Sequence, residues 1–362
     1  YEGDCFAPLR QFSEYMQVSG LVMPESEPAA FEPMWCAWGY EREATFAEIL
    51  GTLPKVKELG IKWATVDDGY QIAEGDWELD TKRFPGGDRD MVDLVKKMKA
   101  YGLKVQLWWA PLAADPGTKV LKENPDFITL SKQQTPHYIT WWDSYYLSPV
   151  DSGVVSYSRD LVDRFMKKYD FDGLKLDGQH LNSVHPDYNW KHHPECPQYS
   201  YEQLPGFFKM IYDESRSINP HAVIQNCPCG CCMSFYNLPY TNQTVASDPT
   251  SSWQVRLKGY VYKALVPRTA YFGDHVELSD HGDDFASSFG IGAVLGTKFT
   301  WPKNNPKVKA DYRLTPEKEV IWKKWFSLYN EKMLSTGEYV NGLYDIGYSR
   351  PEAHVIRKDG TL

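Results

Sequence analysis

Apolar runs of strand length recur along the chain, each followed by a stretch of helical spacing. The runs are PMWCAWGY (33–40), IKWATVDDG (61–69), LKVQLWWAP (103–111), GLKLDG (173–178), HAVIQNCP (221–228), QTVASDP (243–249), TAYFGDHV (269–276) and GAVLGTKFTW (292–301). Between them lie amphipathic stretches such as EATFAEILGTLPKVKELG (43–60), SYSRDLVDRFMKKYD (156–170) and YEQLPGFFKMIYDESRSINP (201–220). In DMVDLVKKMKAYG (90–102), Met91, Leu94, Val95 and Met98 fall on one helical face, and Gly102 ends the pattern before the next strand. The helix after the seventh run is expected to be short. Alternation repeated eight times predicts an α/β protein with a parallel sheet closed into a (β/α)8 TIM barrel. A doubly wound open sheet would carry a Gly-rich loop after its first strand, where this chain reads WGYERE.

Three regions follow from the pattern. Residues 1–30 show no periodic element and read as a leading segment. Residues 31–335 hold the barrel, whose last helix is TPEKEVIWKKWFSLYNEKML (315–334), with Thr315 as N-cap and Pro316 in its first turn. Residues 336–362 read as the start of a C-terminal β domain, and the chain is expected to continue beyond both ends.

The strand ends carry the candidate chemistry, because barrels of this kind bind at the C-terminal ends of their strands. The first run ends near Trp35 and Trp38, the second with Asp67 and Asp68, and the third with Trp108 and Trp109. The fourth ends with Lys175 and Asp177, followed by Gln179 and His180. The fifth ends with Asn226 and Cys227, the sixth with Asp248, and the seventh with Asp274 and His275. Acids gathered in one mouth repel each other unless a cation compensates, and Lys175 is the candidate cation.

Such a mouth suits glycoside hydrolysis, which needs one carboxylate at the anomeric carbon and one carboxylic acid at the leaving oxygen. Asp177, two residues from Lys175, is expected to stay ionised as the nucleophile. Asp248 is expected to sit in a less compensated place as the acid. The two carboxyls should converge to roughly 5–7 Å. Plainer roles compete: Asp248 before Pro249 as a helix N-cap, Asp67-Asp68-Gly69 as a turn, and Cys227 as a small pocket wall. Strand alternation turns Trp108 and Trp109 to opposite faces.

Composition adds to this picture. Of 362 residues, 42% are hydrophobic and 15% aromatic, with 13 Trp, 24 Tyr and 16 Phe, and aromatic faces suit the apolar edges of sugars. A net charge of −9 argues against a nucleic-acid partner. No apolar run is long enough to span a membrane, and no signal pattern opens the chain, so the sequence points to no compartment. The seven cysteines include CPCGCC (227–232), whose spacing departs from the paired pattern of zinc sites. No metal or cofactor is assigned, and a homo-oligomer is left open.

At these residues the chain resembles the α-galactosidases of glycoside hydrolase family 36, in a clan that also holds α-N-acetylgalactosaminidases and raffinose-synthase-like proteins. The resemblance runs over roughly 33–300. It rests on VDDGYQ (66–71), GLKVQLWWAP (102–111), YYLSPVDSGV (145–154), LKLD (174–177), SDPTSSWQVR (247–256) and GDHV (273–276), in that order. It implies Asp177 as nucleophile and Asp248 as general acid/base. It implies that Asp67 or Asp68, Lys175 and Trp108 or Trp109 hold the sugar's hydroxyls and ring face. It places Cys227 and Gly230 near the sugar's 2-position, with Arg256 closing the acid/base motif, and it implies retention of configuration.

Two departures bear on the sugar. The family's Cys-Ser-Ser-Gly-Gly-Gly-Arg run is CPCGCCM here, without its arginine, and aromatics in HYITWWDSYY (137–146) replace another expected arginine. The sequence therefore points to a retaining α-galactosidase-like hydrolase acting on an oligosaccharide or glycoconjugate. An α-galactosaminidase or α-N-acetylgalactosaminidase, a raffinose-synthase-like transglycosylase and a non-catalytic sugar-binding barrel are the alternatives.

Overall fold

A computed structural model describes residues 4–178, 184–193, 195–231, 233–274, 283–301, 312–342 and 353–362. Its centre is one parallel sheet of eight strands. They are β1 (Met34–Cys36), β2 (Trp63–Val66), β3 (Lys104–Trp109), β4 (Gly173–Asp177), β5 (Val223–Cys227), β6 (Gln243–Val245), β7 (Ala270–Phe272) and β8 (Gly296–Thr297). Each strand pairs in parallel with the next in sequence from β1 to β7, and β8 pairs with β1. A parallel bridge between Phe272 and Val294 carries the ring from β7 to the start of β8. The eight runs read from the sequence are the eight strands of this barrel.

Register fixes which side chains face inward. Trp108, Lys175 and Gln225 form one row across β3, β4 and β5, and Trp109, Leu176 and Asn226 form the next. Successive residues leave a strand on opposite faces. Lys175 and Asp177 therefore share the inner face, while Leu174 and Leu176 pack in the apolar layer outside. Below the mouth the interior is polar and internally bonded. Thr65 Oγ1 donates to Gln106 Oε1 at 3.1 Å, and Gln225 Nε2 donates to Gln243 Oε1 at 2.5 Å.

The outer helices are α1 (Ala7–Val18), α2 (Phe46–Glu58), α3 (Asp88–Ala100), α4 (Ser152–Val162), α5 (Leu204–Ile218), α6 (Ser252–Leu265), α7 (Asp283–Gly290) and α8 (Pro316–Lys332). Met91, Leu94, Val95 and Met98 are the buried face of α3. Thr45 and Glu48 form a capping box on α2. Thr315 caps α8, its side chain accepting from Lys318 N, with Pro316 opening the helix. The α7 helix is short, as the sequence implied. The connection after β5 departs from the pattern: it is a 3-10 turn, Phe235–Tyr240. Pro239 within it lacks the amide hydrogen an α-helix interior requires.

The leading segment also departs from expectation, since α1 is a regular helix. Its apolar residues do not form one stripe: Phe12, Tyr15 and Val18 are exposed. The helix docks instead through single contacts. Ser13 Oγ donates to Leu265 O at 2.6 Å, Phe12 meets Phe235, and Phe6, which precedes the helix, stacks on Tyr260. At the other end, Glu338–Gly342 pairs antiparallel with His354–Arg357. Gly39, in the turn after β1, shows how tightly the mouth is drawn together. A Cβ there would lie 1.7 Å from Lys298 O.

Candidate active site

The end of β4 sets the site. Lys175 Nζ bonds Asp67 Oδ2 at 2.8 Å, with both side chains buried. The Cys36 thiol donates to the same oxygen at 2.9 Å, and Asp68 N–H donates to Asp67 Oδ1 at 3.0 Å. Burial disfavours the Lys175 ammonium, but the Asp67 charge, with Cys36, Cys227 and Asp177 behind it, prevails and holds its pKa well above the usual value.

Asp177 stands across this pair. Its Oδ2 accepts from Trp108 Nε1 at 2.7 Å, while Oδ1 is buried with no hydrogen-bond partner among the described residues. Burial pushes its pKa up to about 6. Lys175 and the Trp108 bond oppose that rise, and the Asp67 and Asp274 charges add to it. Lys175 favours the ionised form, as expected from the sequence, while its ammonium also bonds Asp67 and burial sets the direction of the shift.

The sixth strand end supplies Asp248, half-buried. Ser247, Asp248 and Asp274 all adopt positive φ, at 56°, 44° and 70°. Asp248 N–H donates to Asp274 Oδ2 at 2.5 Å. The N-cap role is excluded, because Ser251 caps α6 and its side chain accepts from Gln254 N. Cys227 feels the charges of both candidate carboxylates. Burial raises its pKa well above normal, and the charges of Asp177 and Asp248 add to the rise. Cys229 is raised for the same reasons. The raised pKa values disfavour the thiolate form of both cysteines.

Gly230 N–H donates to Ser247 Oγ at 2.8 Å, tying the loop after β5 to the end of β6. Its φ of 82° suits glycine, and among the described residues a Cβ there would meet no atom within 4 Å. Trp38 is half-buried in the turn after β1, with its backbone N–H toward the Cys36 sulfur. Trp109 faces outward, edge-on to Phe165, while Trp108 takes the inner face. Asn226 lies in the same outward row, and its buried amide atoms have no partner among the described residues. Arg256 Nη1 donates to Ser287 Oγ at 2.9 Å, and its guanidinium lies over Trp253. His185 stacks near His137. Gln179, His180 and His275 lie outside the described residues.

Asp67 and Asp68 do form a turn, yet both are buried in the mouth. Asp68 belongs to a network that sequence reading missed. Arg42 Nε bonds Asp68 Oδ2 at 2.7 Å and its Nη2 bonds Glu74 Oε1 at 3.2 Å. Gln71 Nε2 holds Asp68 Oδ1 at 2.7 Å, and Ser144 Oγ donates to Asp115 Oδ1 at 2.5 Å. Burial, the charges of Asp68 and Asp115, and a hydrogen bond to Asp115 push Glu74 up to about 8, against the pull of Arg42. Arg42 sits in WGYERE, where the sequence showed only the lack of a glycine loop.

Lys258, also missed, bears a visible signal. It falls between Val255 and Tyr262 on the buried stripe of α6, where a lysine is out of place. Among the described residues, no group of three or more His, Cys, Asp or Glu is arranged to hold a metal ion.

Fold and site together define an α/β-barrel protein with an acidic, indole-lined mouth. The chain matches the Melibiase family over residues 29–287, and it belongs to that family. Across its whole length it is 27% identical to the A type blood alpha-D-galactosamine galactosaminidase of Flavonifractor plautii, covering 33% of that protein. It is 25% identical to Alpha-galactosidase 1 of Pediococcus pentosaceus over 52% of this chain and 26% of the relative. Among solved structures, the family 36 α-galactosidase AgaB of Geobacillus stearothermophilus superposes with a TM-score of 0.73 at 16% identity, over 92% of this chain and 47% of that one. The α-galactosidase of Lactobacillus brevis gives 0.70 at 17% identity, over 93% and 46%. The chain thus spans about a third of the galactosaminidase and about half of these structures.

Proposed function

We propose that this chain is the catalytic barrel of a retaining α-glycosidase acting on terminal α-galactosyl-type residues of an oligosaccharide or glycoconjugate. The observation that supports the reading is the buried Asp177 carboxyl at the end of β4, with Oδ2 held by Trp108 Nε1 at 2.7 Å and Oδ1 without a partner among the described residues, and with the Asp248 charge acting, like that of Asp177, on the neighbouring Cys227 thiol. In the first step Asp177 Oδ1 forms a bond to the anomeric carbon as the glycosidic C–O bond breaks, and Asp248 gives its proton to the departing oxygen. In the second step Asp248 takes a proton from water, the water oxygen bonds to the anomeric carbon, and the bond to Asp177 breaks. Two inversions leave the configuration retained. Trp108 keeps the Asp177 carboxylate aimed, and Lys175 with Asp67 fixes the floor beside it. The strands 338–342 and 354–357 are read as the start of a following β domain.

Within this class an α-galactosaminyl substrate is the second reading. It is supported by the space that the described residues leave at Gly230 and by the relative matched along the whole chain, whose name gives galactosamine as its sugar. A panel of aryl α-glycosides (galactoside, galactosaminide, N-acetylgalactosaminide and glucoside) decides the sugar. Product analysis with a sugar acceptor present separates hydrolysis from transfer. Release from the galactosyl-type members is expected, and release from none of them would overturn the proposal.

A further inference from the structure

Lys258 is buried on α6, behind the sixth strand end. Its ammonium donates to three backbone carbonyls: Ala246 O at 2.6 Å, Ser247 O at 3.0 Å and Gly230 O at 3.1 Å. Two of these belong to the residues leading directly into Asp248. The third belongs to the loop after β5, which follows Cys227 and carries Cys229. The same loop is joined to Ser247 a second time, through Gly230 N–H and Ser247 Oγ.

The backbone here needs such a hold. Ser247 and Asp248 are consecutive non-glycine residues in the left-handed region. That conformation is strained for residues with a Cβ and persists only where the surroundings enforce it. Among the described residues no carboxylate forms an ion pair with Lys258. A buried ammonium satisfied by carbonyls alone is an expensive way to fill space, and an apolar residue would pack the helix more cheaply. Its particular contribution is to draw three carbonyls to one point, which fixes the peptide that aims Asp248.

We infer that Lys258 is a positioning residue for the acid/base, setting the direction of the Asp248 carboxyl by clamping the Ser247 carbonyl to the loop after β5. The inference rests on the proposed acid role of Asp248, so the test carries that role as a separate arm. It predicts a loss that depends on the leaving group. A misaimed acid matters when the departing oxygen needs a proton and matters little when it does not.

The experiment compares wild type, Lys258→Met, Lys258→Arg and Asp248→Asn on an alkyl and a 2,4-dinitrophenyl α-glycoside of the sugar that wild type hydrolyses best. The quantity read is kcat/KM, which reports the glycosyl-transfer step. Lys258→Met is expected to lose about 100-fold on the alkyl glycoside and less than about 3-fold on the dinitrophenyl one. Lys258→Arg keeps the charge and donors with a longer reach, and is expected to lose roughly 10-fold on the alkyl glycoside alone. Equal losses on both substrates, or none, in the folded variants would overturn the positioning role. If Lys258→Met does not fold, Lys258→Arg decides by the same criterion. If Asp248→Asn itself shows no leaving-group dependence, the acid role fails. If it does and the Lys258 variants do not, only the inference on Lys258 fails.

Discussion

Asp177→Asn removes a buried negative charge, so it should abolish turnover and stabilise the fold at neutral pH. The folded carboxyl has a pKa of about 6 against an ordinary value of 3.8. A raised folded pKa favours the protonated form, so its stabilising contribution is complete below pH 3.8 and is lost as pH rises through 6. The difference of about 2 units corresponds to about 3 kcal/mol of strain carried by the ionised form at pH 7.5. Asparagine is neutral, and its carbonyl can still accept from Trp108 Nε1, so it escapes most of that penalty. Unfolding by denaturant at pH 7.5 and at pH 4, for wild type and variant, measures the effect. The variant should be more stable by up to about 3 kcal/mol at pH 7.5, and the gap should close near pH 4. A variant less stable at pH 7.5, or a gap equal at both pH values, would refute the reasoning.

Three further outcomes follow from the same geometry. The kcat/KM profile should fall on its acid side near pH 6 as Asp177 protonates, and Trp108→Phe should move that limb upward by about one to two units by deleting a bond to the charged form; an unmoved limb would separate Trp108 from Asp177. Arg42→Met should raise KM roughly 10-fold with kcat nearly unchanged, because Asp68 loses its guanidinium, and Arg42→Lys should not restore it since one ammonium lacks the fork that reaches Asp68 and Glu74 together. Gly39→Ala should yield little folded protein on expression, because the new Cβ falls on the Lys298 carbonyl; normal yield and an unchanged melting temperature would show that the mouth is looser than drawn.

The barrel was legible because its strands are local features. Each strand is a short apolar run, and the α3 stripe of Met91, Leu94, Val95 and Met98 follows from spacing alone. The shared face of Lys175 and Asp177 also follows, since residues two apart on a strand point the same way. What spacing does not encode is partner choice. Lys175 and Asp177 are close in sequence, yet the ammonium bonds Asp67, which is 108 positions away. Burial above all, with the Asp67 and Asp274 charges, raises Asp177 against the pull of Lys175 and the Trp108 bond, and burial of a particular carboxyl is not written in local spacing. Arg42, Glu74 and Asp115 come from three different loops, and no local pattern links them. The α1 helix escaped notice because its contacts are single side chains on α6 and the turn after β5 rather than a continuous apolar stripe.

The mechanism is tested most directly by trapping. A 5-fluoro α-galactosyl fluoride slows both steps but departs readily in the first, so it accumulates the glycosyl ester of the attacking carboxylate. Peptic digestion and mass analysis then locate the sugar. A single adduct on Asp177, absent from Asp177→Asn, is the expected result. An adduct on Asp248 or another carboxylate, or steady turnover with an inverted product and no adduct, would contradict it.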